Sequence, residues 1–347
     1  MDDSIRTAAS NFSISIDEWQ EFFKGKVRKE SKLVPAYLKF IEQLGELGLP
    51  PIFEGKHLQK LLGVSGFEFL RLTETTESNY RTFSIPKRTG GQRQISVPSP
   101  LLLYCQRWIT SFILSKIEIH PSAHGYVVGR SNLTNARTHL GSRQILKMDI
   151  SDFFGSVRLA KIVDVFYCAG YPPNVAYLLG KICCANGVLP QGAASSPMLS
   201  NIILRGIDAE IELFVSKIGL KYSRYVDDIT ISGDHISADY LNIVDNIFDR
   251  IGLNINRKKT KIQKGRKKIV TGVSIGTGET KLPRNMKREF HNNAFLALKR
   301  GLLLNEEGNP LFLEKVIGQI NYWSSLEPDN FKVKSMLQDL KDMKLKS

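Results

Sequence analysis

Two carboxylates stand side by side at Asp227 and Asp228, within the stretch KYSRYVDDITISG from Lys221 to Gly233. Adjacent aspartates repel each other, and a cation that also touches substrate oxygens relieves that repulsion. Aspartate is equally a common turn residue, so the pair alone reads as a turn. Ile229 and Ile231 alternate with Thr230 and Ser232. That period of two predicts a β-hairpin with the acids at its turn. Chemistry needs a further acid from elsewhere, and QILKMDISDFFGS, from Gln144, carries one. Leu146, Met148 and Ile150 point one way; Lys147 and Asp149 point the other. Asp152, Phe153 and Phe154 follow as the chain turns. A lone acid on a strand face is ordinarily solvent-facing. An acid at a strand end, followed by two aromatics, can hold a metal beside a packed sugar pocket.

Groups able to grip phosphate lie on either side of this acid. YRTFSIPKRTGGQRQISVP, Tyr80 to Pro98, predicts strand, Gly-Gly turn, strand, with Lys87, Arg88 and Arg93 about the turn. It is either a solvated hairpin tip or a flap that holds a triphosphate. In LPQGAASSPMLSNIIL, from Leu189, Gln191 and Gly192 end a loop, and Ser195-Ser196-Pro197 starts a helix by ordinary capping chemistry. A functional reading adds close backbone approach to a nucleotide at Gln191 and Gly192. RKKTKIQKGRKK, Arg257 to Lys268, holds eight basic residues and no acid. Such a run is usually a solvated face. The alternative is a surface that meets phosphate.

The elements that must carry these groups are mixed. Ile16 to Leu47 reads as helical, divided or kinked at Pro35, with Trp19, Phe22, Phe23, Leu33, Tyr37, Phe40, Ile41 and Leu44 as candidate buried positions. A second helical stretch, His57 to Leu72, is interrupted at Gly63 to Gly66. Leu101 to Ile117 reads as a buried helix, and His120 to Leu140 as mostly loop. Arg158 to Ala185 is largely helical, with Cys183 in the core. Met286 to Leu304 and Pro310 to Leu326 are helices on which Lys287 and Arg288 could track a duplex backbone.

Charge and length narrow the class. The chain has 347 residues, enough for two or three folding units, and 48 Lys plus Arg against 34 Asp plus Glu leave a net charge of +14. That excess favours a polyanionic partner, nucleic acid first. No apolar run approaches the ~20 residues of a spanning helix. The start, MDDSIRTAASNF, is not signal-like. Cys105, Cys168, Cys183 and Cys184 have no zinc-site spacing, and a reducing cytoplasm suits them.

The order KMDISDFF, LPQGAASSP, RYVDDITIS, GLNINRKKTKI and VTGVSI resembles the palm motifs of reverse transcriptases, over about Tyr80 to Ile275. NARTH, Asn135 to His139, and VTG, Val270 to Gly272, resemble signatures of the retron-type enzymes. Where the family often has alanine in the hairpin, Val226 stands here. The resemblance implies an α+β right-hand polymerase with fingers, an antiparallel palm sheet with helices, and a helical thumb. It divides the chain into a helical 1–79, fingers 80–145, palm 146–157, fingers or palm helices 158–188, palm 189–275 and thumb 276–347. It implies Asp149, Asp227 and Asp228 as catalytic acids holding two Mg2+ ions, or Mn2+ in their place, with help from the Ile150 carbonyl. It implies Phe154 as the ring that excludes a 2′-hydroxyl, and Gln191, Arg93 and Lys87 as contacts of the incoming nucleotide. Arg257, Lys258, Lys259, Lys264, Arg266, Lys267, Lys268, Lys287 and Arg288 would meet nucleic acid. The implied function is RNA-directed DNA synthesis on a dedicated non-coding RNA, from deoxynucleoside triphosphates, giving a branched RNA–DNA product in phage defence with an effector protein. An intron-type or abortive-infection-type enzyme is the alternative, although only 75 residues follow Gly272, enough for a thumb. A non-catalytic RNA-binding scaffold of the same fold is the rival outside enzymes.

Overall fold

The computed structural model describes residues 15–24, 33–75, 77–86, 90–300 and 310–346. Lys87 and Arg88 lie outside them. Contacts group the chain into two units: 1–120, 151–207 and 250–253 form one; 121–150, 208–249 and 254–347 form the other.

The first unit is helical apart from one hairpin. Within the stretch read as helical lie α1 (Ile16–Lys24) and α2 (Leu33–Glu46), with Pro35 in the first turn of α2, where a missing N–H costs nothing. The predicted burial holds for Phe23, Ile41 and Leu44, while Phe22, Leu33 and Tyr37 are exposed. Helices α3 (Gly55–Leu62) and α4 (Gly66–Glu74) are separated at Gly63, which caps α3 in the left-handed conformation. Strands β1 (Tyr80–Pro86) and β2 (Gln92–Pro98) pair antiparallel, with Ile85 opposite Arg93. Helix α5 (Pro100–Phe112) follows.

The core of this unit forms where α9 (Pro173–Cys183) packs on α8 (Leu159–Cys168), α3, α4 and α5. Trp108, Ile109, Phe166, Val175, Leu179 and Cys183 are fully or almost fully buried there. Gln106 ties three segments together. Its amide donates to Tyr80 Oη (2.7 Å) and to the Ile182 carbonyl (3.0 Å), and its oxygen accepts from Ala194 N.

The second unit is built on an antiparallel sheet of order β4-β5-β3-β6, from β3 (Gln144–Asp149), β4 (Lys221–Tyr225), β5 (Asp228–Gly233) and β6 (Lys261–Lys264). Central β3 and β5 bury Ile145, Leu146, Met148, Ile229 and Ile231. The predicted loop of 120–140 contains a helix, α6 (Asn132–Thr138), opened by a capping box on Ser131. Helix α10 (Ser196–Lys217) runs from the first unit into the second, and α11 (Asp239–Asp249) follows β5. Short strands β7 (Ile269–Val270) and β8 (Val273–Ser274) lead to α12 (Arg284–Arg300), α13 (Phe312–Leu326) and α14 (Phe331–Lys346). One apolar cluster joins them, including Val270, Val273, Phe290, Ala294, Val316, Ile320 and Leu340. Among the described residues no helix is long and apolar enough to cross a membrane.

Candidate active site

The hairpin forms as its alternation predicts. Tyr225 pairs with Asp228 across β4 and β5, leaving Val226 and Asp227 in the turn. Asp149, the last residue of β3, is the register partner of Asp228. Ile150 N donates to the Asp227 carbonyl at 3.0 Å. Two strand ends and one turn therefore bring Asp149, Ile150, Asp227 and Asp228 together at one end of the sheet's central strands. Side chains of register partners in an antiparallel pair lie on the same face, with their Cα atoms about 4.5–5.5 Å apart.

Burial and crowding act on these acids together. Asp227 is pushed up to about 6, first by desolvation, then by the Asp228 and Asp149 charges. Burial also raises Asp228, against the pull of Lys147. A site that holds protons this way must release them when a cation binds. Its oxygen donors suit a hard divalent ion such as Mg2+. Among the described residues no three His, Cys, Asp or Glu side chains close on a single point as they stand. A cation is nevertheless already present: Lys259 Nζ lies 2.8 Å from Asp149 Oδ2. Lys259 belongs to the basic run, and the fold brings it to a candidate metal ligand. Asn256 N donates to the Asp149 carbonyl at 2.7 Å, which fixes the loop carrying Lys259 beside β3.

The turn is strained. Val226 has φ +61°, a left-handed conformation that a β-branched residue rarely takes and that costs on the order of 1–3 kcal/mol. Gly125 lies against it, and a Cβ at 125 would fall 2.6 Å from Val226 Cγ2 and 2.8 Å from Val226 N.

The nucleotide-contact candidates lie in the first unit. Phe154 sits in a short helix, α7 (Phe153–Ser156), half-buried, with its ring 5.3 Å from that of Phe153. Asp152 enters this helix at φ +39°, and a Cβ at Gly155 would meet the Asp152 carboxylate at 2.4 Å. The Gln191 carbonyl accepts from Ser96 N at 2.8 Å, so the Gln191-Gly192 loop rests on β2. Arg93, further along β2, is exposed.

The basic run divides by environment. Lys258, Lys264, Arg266 and Lys267 are exposed. Arg257 is bound to Asp245, with Nη2 2.5 Å from Oδ2. Lys268 differs from them: it is 8% exposed and donates to the Ser142 carbonyl, a contact that holds the fold. On α12, Lys287 pairs with Glu327 at 2.7 Å and lies over the Trp323 ring. Arg288 is exposed and lines an open pocket with Lys287, His291, Asn292 and Trp323.

The two short signatures meet each other. Asn135 Nδ2 donates to Thr271 Oγ1 at 3.3 Å, and Asn132 Nδ2 donates to the Thr271 carbonyl at 3.2 Å. His139 is fully buried between the hairpin strands. Its Nε2 is 2.7 Å from Ser223 Oγ on β4, and its Nδ1 is 2.6 Å from Ser232 Oγ on β5. Desolvation lowers its pKa to about 3, so the ring is neutral. The sequence did not decide whether His139 was structural; these contacts make it a brace between β4 and β5.

Comparison with known proteins gives the family. Residues 85–281 match the family model described as reverse transcriptase (RNA-dependent DNA polymerase). The retron Mx65 reverse transcriptase of Myxococcus xanthus is 32% identical over 288 residues, covering 75% of this chain and 67% of that protein. The retron Ec86 reverse transcriptase of Escherichia coli is 34% identical over 254 residues, 72% of this chain and 79% of that protein. The retron Mx162 enzyme of Myxococcus xanthus is 30% identical over 284 residues, 70% of this chain and 58% of that protein. On this breadth of similarity the chain belongs to the reverse transcriptases, of the retron type, and is an RNA-directed DNA polymerase.

Proposed function

We propose that this polymerase copies a structured non-coding RNA into single-stranded DNA, starting from an internal 2′-hydroxyl of that RNA, and that Asp149, Asp227 and Asp228 hold the divalent cations it needs. The observation that carries the cation assignment is the register pairing of Asp149 with Asp228, with Asp227 in the adjoining turn. Crowding and burial keep Asp227 near 6, so these carboxylates gain by sharing a cation. Two Mg2+ ions, or Mn2+ in their place, would supply Lewis acidity for the attacking hydroxyl and the leaving pyrophosphate. The Ile150 carbonyl adds a neutral oxygen to the donor set. Lys259, displaced from Asp149, keeps its positive charge for the phosphates of the incoming nucleotide.

The other contacts rest on side-chain chemistry and on the motifs that carry them. Phe154 fills the space a ribose 2′-hydroxyl would need. Gln191 supports the incoming nucleotide on its loop against β2, and Arg93 with Lys87 takes up triphosphate charge. Lys258, Lys264, Arg266, Lys267 and Arg288 meet the RNA and its DNA product. A 2′-hydroxyl is no better a nucleophile than a 3′-hydroxyl, so its selection rests on how the folded RNA is held. The product is then a DNA joined to RNA through a 2′–5′ bond. A part in phage defence beside an effector protein is the biological role we attach to it.

The test is extension by purified protein on its co-purifying RNA, with the product treated with RNase and then with a debranching enzyme. A mobility shift that appears only after debranching is expected. A free 5′ end, or DNA attached to a tyrosine, would overturn the priming assignment. Asp227→Asn and Asp228→Asn should each abolish extension and leave RNA binding intact; normal extension by either would overturn the cation assignment.

A further inference from the structure

Beneath the Val226 turn lies a buried ion pair. Arg224 on β4 and Asp208 on α10 are both 0% exposed. The guanidinium meets the carboxylate as a fork, with Nε 2.8 Å from Oδ1 and Nη2 2.6 Å from Oδ2. Tyr222 Oη adds a third bond to Asp208 Oδ1 at 2.6 Å. The remaining arm, Nη1, donates to the Val226 carbonyl at 3.0 Å.

A buried ion pair is a poor way to stabilise a fold, because apolar residues of similar volume often do as well. Its use has to be sought in what it holds. What it holds here is the peptide between Val226 and Asp227, whose carbonyl orientation sets the direction of both aspartates. Val226 is in the left-handed region and would leave it if unconstrained. The turn is closed from the other side by Gly125 and by two backbone bonds, His124 N to the Arg224 carbonyl (2.7 Å) and Arg224 N to the Ser122 carbonyl (2.8 Å).

We infer that Arg224, anchored by Asp208, is a positioning residue: it fixes the Val226 carbonyl and so aims Asp227 and Asp228 at their shared cation. The inference rests on the cation assignment above. It does not require Arg224 to touch substrate. Arginine is needed for it, since lysine cannot fork to a carboxylate and reach a separate carbonyl at once.

The test is an Mg2+ titration read as a thermal shift, alongside extension rate and RNA binding. Arg224→Met with Asp208→Leu replaces the pair by apolar groups and avoids an orphaned charge. This protein should bind RNA normally, need about tenfold more Mg2+ for half its thermal shift, and extend at least about tenfold more slowly, as misplaced ligands do. Adding Val226→Gly, which occupies the left-handed region without strain, should recover part of both losses. Arg224→Lys serves where the apolar pair does not fold, and should shift the Mg2+ midpoint in the same direction. An unchanged midpoint in the folded variants, or a loss that Val226→Gly leaves untouched, overturns the inference. Asp227→Asn, run in parallel, separates the two failures. If it too leaves the Mg2+ response unchanged, the cation assignment has failed; if it alone abolishes the response, only the role of Arg224 has.

Discussion

Lys259 Nζ stands 2.8 Å from Asp149 Oδ2, so an ammonium occupies one arm of the carboxylate cluster. The pairing raises the lysine pKa, the hydrogen bond to Asp149 being the largest cause. The lysine also lowers the charging cost of Asp227 and Asp228. A divalent ion must compete with it for Asp149. Lys259→Met is therefore expected to lower the Mg2+ concentration at half-maximal thermal shift. The ammonium is about half exposed, so solvent screens it and the change should be about threefold to tenfold. Extension should slow nevertheless, because the released charge is no longer there for nucleotide phosphates. An unchanged or higher Mg2+ midpoint would mean that Lys259 leaves Asp149 before the ion arrives.

His139 makes a prediction about stability and pH. Its folded pKa is about 3, against an ordinary 6.5. Between those values the unfolded chain binds the extra proton, so stability falls as pH drops through 6.5 and goes on falling toward 3. From pH 8 to pH 5 the loss from this one group is about 2 kcal/mol, at 1.36 kcal/mol per unit. His139→Gln keeps hydrogen-bonding capacity without a titrating ring. Its melting temperature should fall less than that of the wild type over the same interval. Parallel curves for the two proteins would refute the neutral, buried assignment.

What the sequence made legible follows from periodicity and turn chemistry. The alternation around Asp149 and Asp228 predicted two strands whose ends carry acids, and both strands formed as read. The Gly90-Gly91 turn was equally plain. Partners distant in sequence were not legible. Nothing near Arg224 announces Asp208, because a helix face and a strand face meet only in the folded chain. Helix α6 was missed because seven residues, Asn132–Thr138, are too few to show a helical period. Its capping residues, Ser131 and Thr134, were the available signal. The aromatic residues of α1 and α2 were read as core from type alone, and exposure of Phe22 and Tyr37 shows how little type says at a helix end.

Phe154 stands half-buried beside Phe153, so shortening it removes one face of an aromatic pair and leaves the other ring to pack. Phe154→Ala should admit ribonucleoside triphosphates, raising their incorporation relative to deoxynucleotides. Single-nucleotide incorporation on the RNA template measures this. Discrimination as strong as the wild type's would reduce Phe154 to packing.

The final prediction separates residues that the sequence presents as equals. Lys264, Arg266, Lys267 and Lys268 lie within five positions and carry the same charge. Lys264, Arg266 and Lys267 are exposed, while Lys268 is buried with its ammonium on the Ser142 carbonyl. A phosphate contact releases counterions, and each one lost should flatten the log–log salt dependence of RNA binding by about 0.7–0.9. Replacing Lys264, Arg266 and Lys267 with glutamine should thus weaken RNA binding and reduce the slope by up to about 2–3, with little change in melting temperature. Lys268→Gln should do the opposite. It removes the ammonium from a buried carbonyl, which costs about 1–3 kcal/mol of stability, and it leaves the salt slope where it was. Fluorescence titrations of labelled RNA at several salt concentrations, with melting curves for each protein, give both quantities. A slope change from Lys268→Gln would return that residue to the nucleic-acid surface. An unchanged slope in the triple variant would make the exposed part of the run a solvated face.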